Sequence, residues 1–235
     1  MVATTRWRSL RGLTTALTVL LYLAAAGAVF SVVAYVSRIG ALSDIIDGTL
    51  NGDRIQRAHD ADDLVSAAVT ITVLLALAIL VLIVIWTYRA AKNNDALGRI
   101  YPRFKPAWAI AGWLVPLVNL VIPVLILQDL WRGSDTASPR EDPGWRANKG
   151  SSLIGWYWAV FLVSSLRYGV GTSEAHLLDT NELRDLRNHD RVALVGMVAS
   201  IGAAVLAVQV IRRITTRQEN CLRAQQAAWA ALPAS

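Results

Sequence analysis

The chain has 235 residues, of which 54% are hydrophobic and only 17% charged, with a formal net charge of +6. Soluble domains carry about a quarter charged residues, and here the charges sit in gaps between apolar runs, which excludes a soluble globular protein. No basic, aromatic-interleaved soluble domain exists to bind nucleic acid, so the positive balance points to membrane orientation and anionic headgroups.

In chain order the apolar runs are 13–36, 64–88, 107–127, 152–166 and 192–211. A span needs about 20 apolar residues to cross roughly 30 Å of hydrocarbon, and four runs meet or approach that length. The first follows Arg6, Arg8 and Arg11 like a signal peptide. It continues through Val29, Phe30, Val32, Val33 and Val36, beyond a typical signal core of about 7–15 residues, so a retained anchor is expected. The 152–166 run is short, with Arg167 and Tyr168 as snorkelling anchors. The last run offers Gly196, Ser200 and Ala204, with Ala199, Ala203 and Ala207 one face over, a small-residue ridge for helix packing. Trp7, Trp86, Trp108, Trp131 and Trp156 stand at run boundaries, where an aromatic belt is expected.

The 107–127 run is broken by Pro116, Asn119 and Pro123. Each proline lacks an N–H and clashes with the carbonyl four residues back, and freed backbone groups are costly in lipid unless protein or water satisfies them. On one continuous helix the three residues share a face, where the Asn119 amide would serve a freed carbonyl.

Charge decides how often the chain crosses. The N-terminal tail has three basic residues and no acids; loop 37–63 has three basic and six acidic residues. Loop 89–105 sets Arg89, Lys92, Arg99, Arg103 and Lys105 against Asp95, and the C-terminal tail sets Arg212, Arg213, Arg217 and Arg223 against Glu219. The positive-inside rule puts the N-terminal tail and loop 89–105 in the cytoplasm. Five crossings would leave the arginine-rich C-terminal tail outside; a re-entrant or interfacial 107–127 returns it to the cytoplasm. The expected fold is therefore an all-α integral membrane protein with four transmembrane helices plus one Pro-broken re-entrant or interfacial segment. Five transmembrane helices are the alternative. The expected organisation is a basic tail and first span over 1–36, an acidic outer loop over 37–63, a membrane core over 64–220 and a C-terminal tail over 221–235. The composition, with 20 Arg against 3 Lys, fits a GC-rich bacterial genome, so the expected location is a bacterial cytoplasmic membrane.

Chemistry-bearing patterns are sparse. Cys221 is the single cysteine, which rules out an internal disulfide and a cysteine metal cluster. The four longer runs hold no Asp, Glu, Lys or Arg, whereas transporters and pumps place ionisable groups within spans. His59, His176 and His189 all lie between runs, and no nucleotide-binding, zinc-protease or nucleophile-elbow motif is present. Asp53, His59, Asp60, Asp62 and Asp63 in one outer loop, with Glu174, His176, Asp179, Glu182, His189 and Asp190 in the other, are the residue types of a divalent-metal site. They lack ligand spacing, so solvated polar loops are the expected reading, with no metal and no cofactor.

One pattern is specific. Phe104, Pro106, Trp108, Ala109, Trp113, Pro116, Asn119, Leu120 and Pro123, followed by Asp129 and Trp131, resemble the bacterial membrane family called domain of unknown function 4328. Trp86, Arg89 and Ala90 upstream, and Arg212 to Thr215 with Arg217 to Glu219 downstream, are similar to it too. The resemblance covers roughly residues 64–220 and implies a multi-span membrane protein, mainly actinobacterial, with no established activity. The family often carries aromatic, polar or basic residues where this chain has Val121, Ile122, Val124 and Gln128, so this segment is the more apolar. Three readings follow. The first is a non-enzymatic scaffold or regulator, whose partners are the bilayer and a membrane protein or second copy. The second is a lipid- or isoprenoid-binding protein or enzyme using Trp108, Trp113, Pro116, Asn119, Pro123 and Trp131, with the basic stretch on anionic headgroups. A small transporter ranks last.

Overall fold

No strand occurs among the described residues of the computed structural model, which are 7–48, 51–165 and 180–231. The helices are α1 (Arg11–Ile46), α2 (Gly52–Ala96), α3 (Trp108–Leu114), α4 (Pro116–Asn119), α5 (Ile122–Gly133), α6 (Ser152–Ser164) and α7 (Thr180–Ala230), with a 3₁₀ turn over Pro143–Ala147. Among the described residues three helices, in α1, α2 and α7, are long and apolar enough to cross a membrane, while α6 is shorter. Hydroxyls in these helices bond back to their own backbone, Thr18 to Thr14 O, Ser31 to Gly27 O and Thr87 to Ile83 O. Polar side chains in apolar helices are thereby satisfied without water. Only 11% of the apolar window of α2 is buried, leaving Leu74, Leu77 and Val81 exposed. A helix that is apolar all round and unburied needs lipid as its solvent.

The helices run well past the apolar runs. Much of the expected 37–63 loop is helix, as is the stretch 212–230 after the last run. The small-residue ridge of α7 turns inward as expected: Gly196, Ala203, Ala204 and Ala207 are buried.

Residues fall into two compact units, one from 1–19, 79–157 and 206–235, the other from 20–78 and 158–205. In the second unit Leu42 and Ile45 of α1 pack with Ala58 of α2 and Leu183 of α7, and Ala34 packs with Val65 and Ala68. Arg38 grips the buried Asp190 with two donors, Nε to Oδ2 at 2.8 Å and Nη2 to Oδ1. It also reaches Asp62 at 3.4 Å and lies over the Tyr35 ring.

In the first unit the interrupted run becomes a helical hairpin. The residue before a proline avoids the helical region, and Val115 is extended (φ −90°, ψ 117°), which ends α3. Pro116 then occupies the first turn of α4 and Pro123 that of α5, where a missing N–H costs nothing. One continuous helix with both prolines and Asn119 on one face, the form the five-span alternative needs, does not occur, because each proline starts a new helix instead of kinking an old one. α3 lies against α5 so closely that a Cβ on Gly112 would stand 2.9 Å from Ile122 Cγ2. Overpacking of this kind costs about 1–3 kcal/mol, so Gly112→Ala should destabilise the protein by that amount, seen as a lowered midpoint of unfolding in a denaturing-detergent titration. An unchanged midpoint would show that the two legs do not touch.

Candidate functional site

The first unit gathers the basic residues, and its geometry begins where α2 ends. Gly98 takes a left-handed conformation (φ 75°), donating to Asp95 O while Arg99 donates to Asn94 O. This is the Schellman pattern, for which glycine is favoured because it has no Cβ to clash, and it turns Arg99 away from the helix. The Arg99 guanidinium then donates to Gly133 O (2.7 Å), Asp135 O (2.8 Å), Ser138 O (2.9 Å) and Pro139 O (2.7 Å), with Cys221 Sγ at 3.3 Å. Carbonyls at the end of α5 have no partner within their own helix, and Arg99 supplies one. Expected on the basic surface, Arg99 is in fact buried and its donors are engaged by backbone. The sequence offers no warning, since its acceptors lie 34 or more residues away.

Further bonds join the same two loops. Trp145 Nε1 donates to Ile100 O at 2.8 Å, Glu141 N to Gly98 O at 2.9 Å, and Arg146 Nη1 to Tyr101 O at 3.2 Å. The segment before the hairpin and the segment after it are thus bonded to each other. α7 joins through Gln225, which donates to Leu97 O and accepts from Arg140.

Beside this clamp lies a buried amide network. Asn93 exchanges two hydrogen bonds with the backbone of Arg8 (3.0 and 2.9 Å), and Gln218 donates to Ala90 O and Asn94 Oδ1. Buried polar groups are tolerated when bonded in this way. Trp86, expected in an aromatic belt, is instead fully buried, and its Nε1 donates to the Thr14 and Thr215 hydroxyls. A tryptophan at the end of an apolar run is equally suited to the space between helices, and here a polar partner across the unit decides it.

The six residues of the expected ligand site divide. Trp113 and Pro123 are buried, with Trp113 Nε1 donating to Thr87 Oγ1. Trp108 and Pro116 are exposed, Trp108 meeting Phe104 at a tilt. Trp131 lies under the Arg217 guanidinium, 4.3 Å from its ring centre. Asn119 Oδ1 is buried with no hydrogen-bond partner among the described residues. Leu114, Val115, Leu117, Leu120 and Val121 are all exposed around the hairpin tip.

At the hairpin base stands Asp129, 7% exposed, with Arg132 Nη1 at 3.6 Å and Arg103 Nε at 4.0 Å. Neither carboxylate oxygen accepts a hydrogen bond among the described residues. Burial pushes this carboxyl above its ordinary value, against the pull of Arg103, Arg132 and Arg146. The side chains of Arg89, Lys92, Lys105 and Arg103 donate no hydrogen bond among the described residues.

Of the residues weighed for an outer metal, Asp62 and Asp190 meet on Arg38 rather than around a vacancy. Glu174, His176 and Asp179 lie outside the described residues. Among those described, no group of three His, Cys, Asp or Glu is placed to hold a metal ion.

Long lipid-seeking helices and a proline-started hairpin with an exposed apolar tip define a helical membrane protein. The chain belongs to the family described as domain of unknown function DUF4328, whose sequence model matches residues 51–216. No curated protein and no solved structure matches it.

Proposed function

We propose that this is a four-span cytoplasmic-membrane protein in which the α3–α5 hairpin is re-entrant and holds a lipid in one leaflet. The carrying observation is the bonding of the two hairpin flanks to each other through Arg99, Trp145 and Glu141. Flanks on opposite sides of a bilayer are about 30 Å apart and could not be so joined. The seven residues of α3 rise roughly 10 Å, enough to enter a leaflet but not to cross. The exposed leucines and valines at the tip need hydrocarbon, while Trp108 and the arginines at the base suit the headgroup layer. The positive-inside rule places that base, with both termini, in the cytoplasm. Of the scaffold and lipid readings left open by the sequence, the lipid one gains from this arrangement of apolar tip and cationic base.

The topology is tested with single cysteines. Cys221 is itself buried, so it makes a poor reporter and is first replaced by serine. Cysteines at the exposed positions Tyr101, Thr136 and Trp229 are expected to resist an impermeant maleimide in intact cells, and one at His59 to react. Opposite behaviour of Tyr101 and Thr136 would mean that the hairpin crosses. Native mass spectrometry of the full chain is expected to show a retained phospholipid, weakened by Trp108→Ala and Asn119→Ala. A protein that emerges free of lipid sinks the lipid reading.

A further inference from the structure

We infer that Arg103, Arg132 and Arg146 form a site for a phosphomonoester headgroup at the hairpin base. The inference deepens the lipid reading and rests on it for the presence of a lipid there. Arg103 and Arg132 approach one buried carboxylate, Asp129, and Arg146 is bonded to the backbone of Tyr101, two residues from Arg103, so three guanidiniums are set against one negative charge. That carboxylate does not consume their donors: the approaches of 3.6 and 4.0 Å are ion pairs without hydrogen bonds. Arg103 donates no hydrogen bond among the described residues. Arg132 gives Nε to Asn148 O, and Arg146 gives Nη1 to Tyr101 O, and the remaining N–H groups stay available. Arginine forks of this kind match phosphate oxygens geometrically.

The charge balance selects among phosphates. A phosphomonoester carries about −1.5 to −2 near neutral pH, close to the excess of the ring, whereas a phosphodiester carries a single charge and leaves the site half-neutralised. Asp129 is a positioning residue here: too buried to touch the ligand, it draws Arg103 and Arg132 together and trims the summed charge. The neighbouring Trp108 and Phe104 supply the amphipathic edge at which a lipid's glycerol region would rest.

Native mass spectrometry of the full chain, exchanged against equal mole fractions of phosphatidic acid and phosphatidylglycerol, tests this. The wild type is expected to prefer phosphatidic acid by about fivefold, the worth of one further charge contact at a membrane surface. Arg103→Gln and Arg146→Gln, both on exposed residues, should each bring the preference close to unity while total lipid retention persists. Arg212→Gln, distant in sequence and equally exposed, should leave it unchanged. Equal retention of the two lipids by the wild type, or a preference untouched by both variants, overturns the inference while leaving the lipid reading intact. Loss of all lipid from the wild type overturns both. Glycerol phosphate added in solution separates the sources. If it displaces phosphatidic acid at comparable concentration, the site stands as one for soluble phosphomonoesters; if it does not, the lipid anchor is part of recognition.

Discussion

Arg99→Ala is expected to destabilise the detergent-solubilised protein by about 3–5 kcal/mol, among the largest effects of any single substitution in the chain. The guanidinium serves four backbone carbonyls from Gly133 to Pro139. Each buried carbonyl left without a donor costs about 1–3 kcal/mol, reduced where water enters. Arg99→Lys should recover only a small part, because one ammonium cannot address acceptors spread around a planar fork. The midpoint of a denaturing-detergent titration measures both. A loss below about 0.5 kcal/mol for Arg99→Ala, the range of ordinary surface changes, would mean that the clamp adds nothing to the fold.

Asp190→Ala is expected to cost a similar amount, about 3–5 kcal/mol, by leaving Arg38 charged in a poorly solvated place. Asp190 is fully buried and the Arg38 side chain is 15% exposed. Asp62, the other carboxylate near Arg38, is more than half exposed and 3.4 Å away, so it replaces little of what is lost. The pair as such is worth less than its halves. Removing both, in Arg38→Met/Asp190→Leu, should restore much of the stability, since two desolvation penalties disappear with the attraction. A double variant as unstable as the sum of the single ones would refute this account and make the residues independent.

How much of this was legible in the sequence varies with the range of the interaction. The runs 13–36, 64–88 and 192–211 lie within α1, α2 and α7 because apolar length is a local property. The proline break was legible for the same reason. Its form was not: whether Pro116 kinks a helix or starts one depends on α5 folding back on Gly112, a contact outside the local pattern. The polar ends of the long helices were missed because their charged residues suggested loops. Leu42, Ile45, Ala58 and Ala61 at helical spacing carried the signal that could have extended them. Arg99 and Trp86 were misplaced, on the surface and in the belt, because what buries them is distant in sequence: carbonyls at 133–139 for one, Thr14 and Thr215 for the other. Asp129 stood in the family pattern, but Arg132 and Arg146 around it were not singled out, since nothing in their spacing joins them to Arg103.

The two sets of bonds in the first unit differ in when they can form during synthesis. The Arg99 clamp on the backbone reaches acceptors 34 to 40 residues downstream, so it can close once Pro139 has been made. The bond from Asn93 to Gln218 spans 125 residues and must await the last helix. A short loop closes at lower entropic cost than a long one, and domains take shape in the order in which they are made. The folding of the 107–127 run into a hairpin is therefore settled early, by a clasp at its neck, and the arriving α7 seals an arrangement already chosen.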